Sequence, residues 1–287
     1  MPTADRTERA LDKAIARAQV PGAPPLLGSA MHYAVFPGGH RIRPQLCHAV
    51  AAACGDRHPR TTDAAAAAIE LLHCASLVHD DLPAFDNAET RRGKASVHAR
   101  FGEPIAVLAG DALIVLAFET LAREADPKRL RSLIAIVAAA VGAPRGIVSG
   151  QAWECESAVP LVDYHEAKTG ALFVGATMAG AAAAGADPEP WRALGRRIGE
   201  AYQVADDLRD VLCTAEELGK PIGQDAARTR PNAAAQLGIA GAKARLEHLV
   251  AVATASIPDC RGSGALAAAI EAQTRQLFPK QLARAAA

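Results

Sequence analysis

Apolar residues recur every three to four positions along most of the chain, a spacing that places them on one face of a helix. Clusters of proline, glycine and aspartate separate these stretches, whereas alternating, strand-like runs are scarce. The longest predicted helical segments are Thr62–Asp81, Ile105–Ala125, Leu130–Val141, Tyr164–Ala184 and Trp191–Leu212. Because the chain shows no repeat and no long Gly/Ser/Pro linker, we expect one all-α domain over residues 1–287.

Composition supports this prediction, since 50% of the residues are apolar and only 4% are aromatic. The chain has 31 basic and 31 acidic residues, a balance that argues against nucleic acid or an anionic membrane as a partner. No two of the six cysteines form a C-x-x-C pair, and the N-terminal residues lack the apolar stretch of a signal peptide. Uncharged runs are broken by prolines or fall short of the about 20 residues that span a membrane. We therefore expect a cytoplasmic protein without a membrane span.

The first chemically distinctive segment follows the helix predicted up to Asp81. It contains Asp80, Asp81 and Asp86, with Pro83 between them. Because proline interrupts a helical hydrogen-bond ladder, we expect a bulge or helix end that turns Asp86 back toward Asp80. His79 is expected to support Asp80, and Asp111 to be a buried hydrogen-bonding partner between helices.

A second acidic segment lies inside the helix predicted to end at Leu212. Asp206, Asp207 and Asp210 are spaced three and four residues apart, which predicts that all lie on one helix face. Like charges at this spacing destabilise a helix unless a counter-charge is present, and carboxylate oxygens suit Mg²⁺. Either cluster alone would be explained as a solvated helix end, but two of similar form favour a metal site.

Basic residues beside glycines accompany both acidic segments. They occur in four places, which are Gly38–Pro44, Arg91–Lys94, Lys168–Gly170 and Gly219–Pro221. Arginine binds phosphate oxygens through two parallel hydrogen bonds, and lysine acts as a point charge. Each place alone is typical of surface charge. Together with two carboxylate clusters, they indicate a cavity that binds two diphosphates.

These motifs resemble those of the trans-isoprenyl diphosphate synthases. The resemblance extends from about Phe36 to Gly238, and within the family the bacterial geranylgeranyl diphosphate synthases are most similar. It implies a bundle of antiparallel helices around a deep central cavity, usually in a homodimer. The implied reaction is the head-to-tail condensation of isopentenyl diphosphate with dimethylallyl, geranyl or farnesyl diphosphate.

The resemblance also implies roles for individual residues. Three Mg²⁺ ions are implied, two of them bound by Asp80, Asp81 and Asp86, and the third by Asp206 and Asp210. The allylic diphosphate would be held by Arg91, and isopentenyl diphosphate by His40, Arg43, His73 and Arg92. The reacting end would be lined by Lys168, Thr169, Gln203 and Lys220.

Several positions depart from the family pattern. His40 and Gln224 stand where lysines are usual, Glu154 replaces an aspartate, and Asn232-Ala233 replaces a Thr-Tyr pair. Terpene cyclases are an alternative, but they lack an isopentenyl site and the second aspartate motif. A non-catalytic subunit of a prenyl synthase is another, but such subunits tend to have damaged aspartate motifs.

Side-chain volume near the first aspartates predicts the product. In related synthases that stop at fifteen carbons, the position five residues before the first aspartate is typically aromatic. Here it is Ala75, with Ser76 beside it and Leu72 further along the same helix. We therefore expect the twenty-carbon geranylgeranyl diphosphate, with a farnesyl diphosphate synthase as the alternative.

Overall fold

The computed structural model describes residues 3–158, 160–212 and 232–275. Within these ranges the chain forms thirteen α-helices. They are α1 (Thr3–Ala16), α2 (Pro25–Val35), α3 (Ile42–Ala53), α4 (Pro59–Asp80), α5 (Val97–Phe101), α6 (Glu103–Glu124), α7 (Pro127–Val141), α8 (Ile147–Ala152), α9 (Leu161–His165), α10 (Ala171–Ala184), α11 (Arg192–Leu212), α12 (Ala233–Ala255) and α13 (Ser263–Arg275). Short 3₁₀ turns cover Trp153–Cys155 and Glu189–Trp191, and a π-helical turn covers Glu166–Gly170.

Helix α4 lies at the centre of the bundle and packs against α3, α6, α7 and α10. Its residues are buried on nearly every side, and the run Ala64–Ala68 lets neighbouring helices approach closely. The contact between α10 and α3 also depends on a small residue. A Cβ at Gly180 would lie 2.4 Å from the backbone oxygen of Cys47, so a larger residue would push these helices apart.

The directions of three central helices determine where the site lies. Helix α4 ends at Asp80, whereas α3 begins at Ile42 and α10 at Ala171. Arg43 in the first turn of α3 contacts His73 near the end of α4, and Lys168, just before α10, lies beside Asp80. One end of the bundle therefore collects the predicted site residues from three separate parts of the chain.

A small hairpin follows α4 and was not predicted from the sequence, where Asn87–Gly93 indicated only a break. Strands β1 (Thr90–Arg91) and β2 (Lys94–Ala95) pair antiparallel, with Thr90 opposite Ala95. The two turn residues, Arg92 and Gly93, have φ values of 53° and 74°, which are typical of a type I′ turn. The Lys94 ammonium donates to the carbonyl oxygens of Tyr33 and Phe36, and so ties the hairpin to the end of α2.

The five long helices were predicted correctly, apart from end residues and the π-helical turn in the segment that begins at Tyr164. The membrane prediction missed one candidate. Helix α6 is long and apolar enough to cross a membrane by composition, and Asp111 within it had interrupted the uncharged run. In the bundle, 44% of its most apolar window is buried.

Candidate active site

The chain turns back on itself directly after α4, as Pro83 predicted. The backbone N–H of Asp86 donates to the carbonyl oxygen of Asp80 at 3.0 Å, and that of Ala88 donates to the carbonyl oxygen of Asp81 at 3.0 Å. These bonds close a tight loop over the end of the helix. Asp86 is thereby returned to the level of Asp80 despite the proline between them.

The carboxylates of this loop face basic side chains. Arg91 on the hairpin donates through Nε to both carboxylate oxygens of Asp81, at 3.0 and 3.2 Å, and through Nη2 to one of them. The Lys168 ammonium lies 3.6 Å from Oδ1 of Asp80. Burial raises the pKa of both Asp80 and Asp81, and the negative charge of Asp86 acts in the same direction.

Lys168 is held by two residues whose role the sequence did not reveal. Glu154 accepts a short hydrogen bond from the Lys168 ammonium and a 2.6 Å bond from the Tyr164 hydroxyl. Lys168 lies on the π-helical turn, a distortion that is frequent at functional sites. A Cβ at Gly150 would lie 2.3 Å from the backbone nitrogen of Lys168, so this glycine permits the close packing. The only signal in the sequence was that Glu154 stands in place of an aspartate.

Thr169, the next residue on the turn, begins a chain of hydrogen bonds toward α12. Its hydroxyl donates to Oε1 of Gln203 at 2.9 Å, and Nε2 of Gln203 donates to Oδ1 of Asp207 at 2.9 Å. The other carboxylate oxygen of Asp207 accepts from the backbone N–H of Ala233 at 2.8 Å. All three aspartates of this segment lie within about 100° of one another around α11, as their spacing predicts, but their surroundings differ. Asp207 is buried and positions Gln203, whereas Asp206 and Asp210 remain half-buried on α11.

A cluster of positive charge lies beside the carboxylates. The Arg43 guanidinium lies against the neighbouring rings of Phe173 and Tyr202, with its Cζ 4.6 and 5.7 Å from their centroids. Its Nη1 donates to Nε2 of His73 at 3.3 Å. Burial lowers the pKa of His73 well below its usual value, and the neighbouring arginines add to this effect, so His73 is neutral and accepts this bond.

The two glycines before this cluster each leave room for a guanidinium. A Cβ at Gly38 would lie 2.1 Å from Cζ of Arg41, and a Cβ at Gly39 would lie 2.7 Å from Cζ of Arg92. Arg41 is buried and bonds to Glu8, Glu70 and the carbonyl oxygen of Val35. Arg92 is exposed. Burial lowers the pKa of Arg43, and the nearby positive charge of Arg92 acts in the same direction.

The predicted residues thus form two neighbouring regions. The acidic region contains Asp80, Asp81 and Asp86 with Arg91 and Lys168, and the basic region contains Arg43, His73 and Arg92. His40 is exposed and its carbonyl oxygen accepts a bond from Gln45. Lys220 and Gln224 lie outside the described residues.

The acidic region suits a divalent cation by its donor chemistry. Oδ1 of Asp80 is buried and accepts no hydrogen bond, which leaves an oxygen free to bind a cation. Carboxylate oxygens are the ligands that Mg²⁺ prefers. Across the described ranges, however, no three His, Cys, Asp or Glu side chains converge closely enough to bind one ion. Instead, the Lys168 ammonium balances the charge of Asp80, and the Arg91 guanidinium balances that of Asp81.

The last turns of α4 expose one narrow strip to the site. His73, Ser76 and Asp80 are half-buried along this strip, whereas Leu72 and Ala75 are each 1% exposed and pack in the core. The prediction for His79 is wrong, because its Nε2 lies 3.2 Å from the carbonyl oxygen of Val107 on α6 rather than on Asp80. Asp111, also on α6, is exposed rather than buried and lies 3.6 Å from the same nitrogen.

Comparisons with known proteins agree with this geometry. Residues 24–260 match the family model for polyprenyl synthetase. The chain is 55% identical over 280 residues to a geranylgeranyl diphosphate synthase of Cereibacter sphaeroides, covering 97% of each chain. It is 54% identical to the geranylgeranyl diphosphate synthase of Rhodobacter capsulatus, covering 95% of each. A Helicobacter pylori geranyltransferase, solved with magnesium and isoprenyl diphosphate, superimposes with a TM-score of 0.80 at 28% identity, covering 96% of this chain and 98% of the other.

Proposed function

The chain belongs to the polyprenyl synthetase family, whose members elongate prenyl chains with isopentenyl diphosphate, and we propose that its product is geranylgeranyl diphosphate. The observation that carries this proposal is the pair of neighbouring regions along one strip of α4. Asp80 and His73 are seven residues apart, so the two regions lie about 10 Å from each other. That separation suits two diphosphates whose hydrocarbon ends meet between them.

The acidic region would take the allylic diphosphate together with Mg²⁺. Asp80, Asp81 and Asp86 would bind two ions, and Asp206 with Asp210 a third. When bound, the ions would neutralise the departing diphosphate. Arg91 and Lys168 would leave their carboxylate partners to contact the phosphate oxygens, because guanidinium and ammonium groups bind both anions.

The basic region would take isopentenyl diphosphate. Arg43 is fixed by two aromatic rings, and neutral His73 accepts from it, so both are preorganised for an anion. Arg92 faces Gly39 at the mouth of this region. With no carboxylate bound to Arg92 in the described part of the chain, its guanidinium is available to a second phosphate.

The reaction breaks the allylic C–O bond, and the bonding electrons leave with the diphosphate. The double bond of isopentenyl diphosphate then supplies the electrons of the new C–C bond. Oxygens of Thr169 and Gln203 would stabilise the positive charge on the allylic carbon. The released diphosphate would accept the final proton, so this mechanism assigns no histidine or glutamate as the base.

The small side chain of Ser76 supports the twenty-carbon product. Its hydroxyl is bonded to the carbonyl oxygen of His73 at 2.8 Å, so no polar group of Ser76 is left unpaired beside a hydrocarbon tail. No ring occupies this position or the adjacent Ala75. Leu72, one turn further along α4, packs in the core and would limit the chain only where the tail displaces that packing.

An incubation with isopentenyl diphosphate and an allylic primer tests the activity. We expect Mg²⁺-dependent incorporation of isopentenyl diphosphate with dimethylallyl, geranyl and farnesyl diphosphate as primers. The test variant is Asp81→Asn, which keeps the side-chain volume but removes the charge. It should reduce turnover by orders of magnitude. Turnover that is unchanged in EDTA, or unchanged in this variant, would contradict the metal assignment.

We also propose that the protein is a homodimer that associates through α6. Leu108 is 51% exposed and Val115 is 67% exposed on the outer face of this helix. Apolar helix faces of this kind are typical of protein interfaces. Light scattering should give the mass of a dimer, and Val115→Glu should shift it toward a monomer. A monomeric wild-type protein would refute this proposal.

Finally, we propose a cytoplasmic location. The described cysteines are all free thiols, and burial raises the pKa of Cys47 and Cys74 to about 12. Free thiols are typical of reducing compartments. Fractionation of cells should recover the protein in the soluble cytoplasmic fraction, and recovery with the membranes would contradict the proposal.

A further inference from the structure

A cavity lies at the opposite end of the bundle from Asp80. It is an open cavity of about 570 Å³ where α3 and α10 end and where α4 begins. Because α4 rises about 1.5 Å per residue, the cavity is roughly 30 Å from the first aspartates. It is therefore separate from both regions described above.

Positive charge dominates the lining of this cavity. Arg57, His58, Arg129 and Arg261 line it, and none of its lining residues is acidic. Arg57 and Arg261 are exposed and form no ion pair with any residue of the described ranges. The carboxylate that approaches the cavity belongs to Asp126, which lies 3.2 Å from Nη1 of Arg129 and 3.7 Å from Nδ1 of His58. Asp126 therefore pairs with Arg129 and approaches His58, but forms no ion pair with Arg57 or Arg261.

Arg129 is built into the wall rather than lying loosely on the surface. Its Nε is buried and has no hydrogen-bond acceptor, although Nη1 is bound to Asp126. Its guanidinium packs against Gly185, where a Cβ would lie 2.5 Å from Nη2. A buried N–H without an acceptor costs stability, and an anion in the cavity would supply the missing acceptor if the Arg129 side chain turned outward to meet it.

The rest of the lining adds no negative charge. Burial raises the pKa of the Cys54 thiol to about 11, and the nearby Cys260 thiol acts in the same direction. Cys54 is therefore a neutral thiol near pH 7. Ala53 and Ala184 also line the cavity, and with this thiol they form its apolar floor.

We propose that this cavity binds a small phosphorylated anion of the diphosphate class. Planar guanidinium groups bind phosphate oxygens in pairs, and three arginines line this cavity, whose volume of about 570 Å³ is large enough for such a group. The anion has two possible chemical sources that the test separates: free diphosphate and the head group of a prenyl diphosphate. The proposal goes beyond the proposed function and does not depend on the length of the product.

Isothermal titration with inorganic diphosphate tests the site, with EDTA present so that no metal takes part. The test variant is Arg57→Gln/Arg261→Gln, which removes no ion pair within the described ranges because neither arginine forms one there. The matched control is Lys128→Gln/Arg131→Gln, which removes two exposed charges of α7 outside the cavity. A third variant, Arg43→Gln/Arg92→Gln, removes charge from the basic region near His73.

We expect the wild type and the α7 control to bind diphosphate equally at the cavity. Arg57→Gln/Arg261→Gln should weaken that binding at least tenfold, whereas Arg43→Gln/Arg92→Gln should retain it. Equal binding by Arg57→Gln/Arg261→Gln and the wild type would overturn the proposal. An equal loss in the α7 control would also overturn it, because the binding would then reflect surface charge alone.

A parallel titration with geranylgeranyl diphosphate distinguishes the two sources. Tighter cavity binding than that of inorganic diphosphate would identify a prenyl diphosphate as the ligand, with its tail on the apolar floor. Equal or weaker binding would identify free diphosphate. Because neither titration requires turnover, failure of the proposed function would leave these results interpretable.

Discussion

Substitution of Gly39 by alanine should impair isopentenyl diphosphate binding without unfolding the protein. The new Cβ would lie 2.7 Å from Cζ and 2.8 Å from Nη2 of Arg92, so the exposed guanidinium must move aside. Gly39 does not have a positive φ, and the backbone therefore accepts alanine without strain. Loss of a hydrogen bond between charged groups costs about 1.5–3 kcal/mol, which corresponds to about a 10- to 150-fold rise in KM for isopentenyl diphosphate.

The adjacent glycine provides the matched comparison. A Cβ at Gly38 would lie 2.1 Å from Cζ of Arg41, which is buried and bound to Glu8 and Glu70. Disrupting a buried ion pair costs about 3–5 kcal/mol, so Gly38→Ala should lower Tm by roughly 10 °C. Steady-state kinetics with each substrate varied in turn, combined with thermal melting, separates the two effects. The reasoning fails if Gly39→Ala destabilises the protein as much as Gly38→Ala, or raises KM mainly for the allylic substrate.

Three further predictions concern the acidic region and the product. Burial raises the pKa of Asp80, which means that the charged carboxylate destabilises the fold near neutral pH. The variant Asp80→Asn, although inactive, should therefore have a melting temperature no lower than that of the wild type when both are measured in EDTA. The difference in melting temperature should shrink as the pH falls through the raised pKa of Asp80, because the wild-type carboxyl group then becomes neutral. A melting temperature of Asp80→Asn below that of the wild type at pH 7 would contradict this prediction. Glu154→Gln should reduce kcat about 10- to 100-fold, because a neutral amide holds the Lys168 ammonium less firmly than the carboxylate does. Glu154→Asp should recover part of the lost activity. An unchanged kcat in Glu154→Gln would exclude the positioning role of Glu154. Ala75→Tyr should shorten the product to fifteen carbons by chromatography, whereas destabilisation of about 1–3 kcal/mol with no change in length would mean that Ala75 only packs in the core.

The helical architecture was predictable because its signal is local. Helices α4, α6, α7, α10 and α11 carry apolar residues at helical spacing, and prolines or glycines mark their ends. The turn after Asp81 was predictable for the same reason, since Pro83 dictates it. The hairpin was not, because Arg92 adopts a positive φ that asparagine or glycine usually provides. Its position depends on contacts of Lys94 with α2, which lie far away in sequence.

The structure brings many of the predicted site residues together, but the sequence did not predict which of them pair. Spacing indicated that Asp206, Asp207 and Asp210 share a face, yet the buried start of α12 draws Asp207 to Ala233. The support of Lys168 by Glu154 and Tyr164 depends on how α8 packs against the π-helical turn. Such contacts are set by tertiary packing, which periodicity does not encode.

The length of the wild-type product is the most direct test of the account. Purified protein would be incubated with dimethylallyl diphosphate, excess isopentenyl diphosphate and Mg²⁺, and the dephosphorylated products separated by chromatography. We predict that the twenty-carbon alcohol geranylgeraniol dominates once the primer is consumed, because no ring at Ala75 or Ser76 stops the tail earlier. A product that remains at fifteen carbons with isopentenyl diphosphate still in excess would contradict the account.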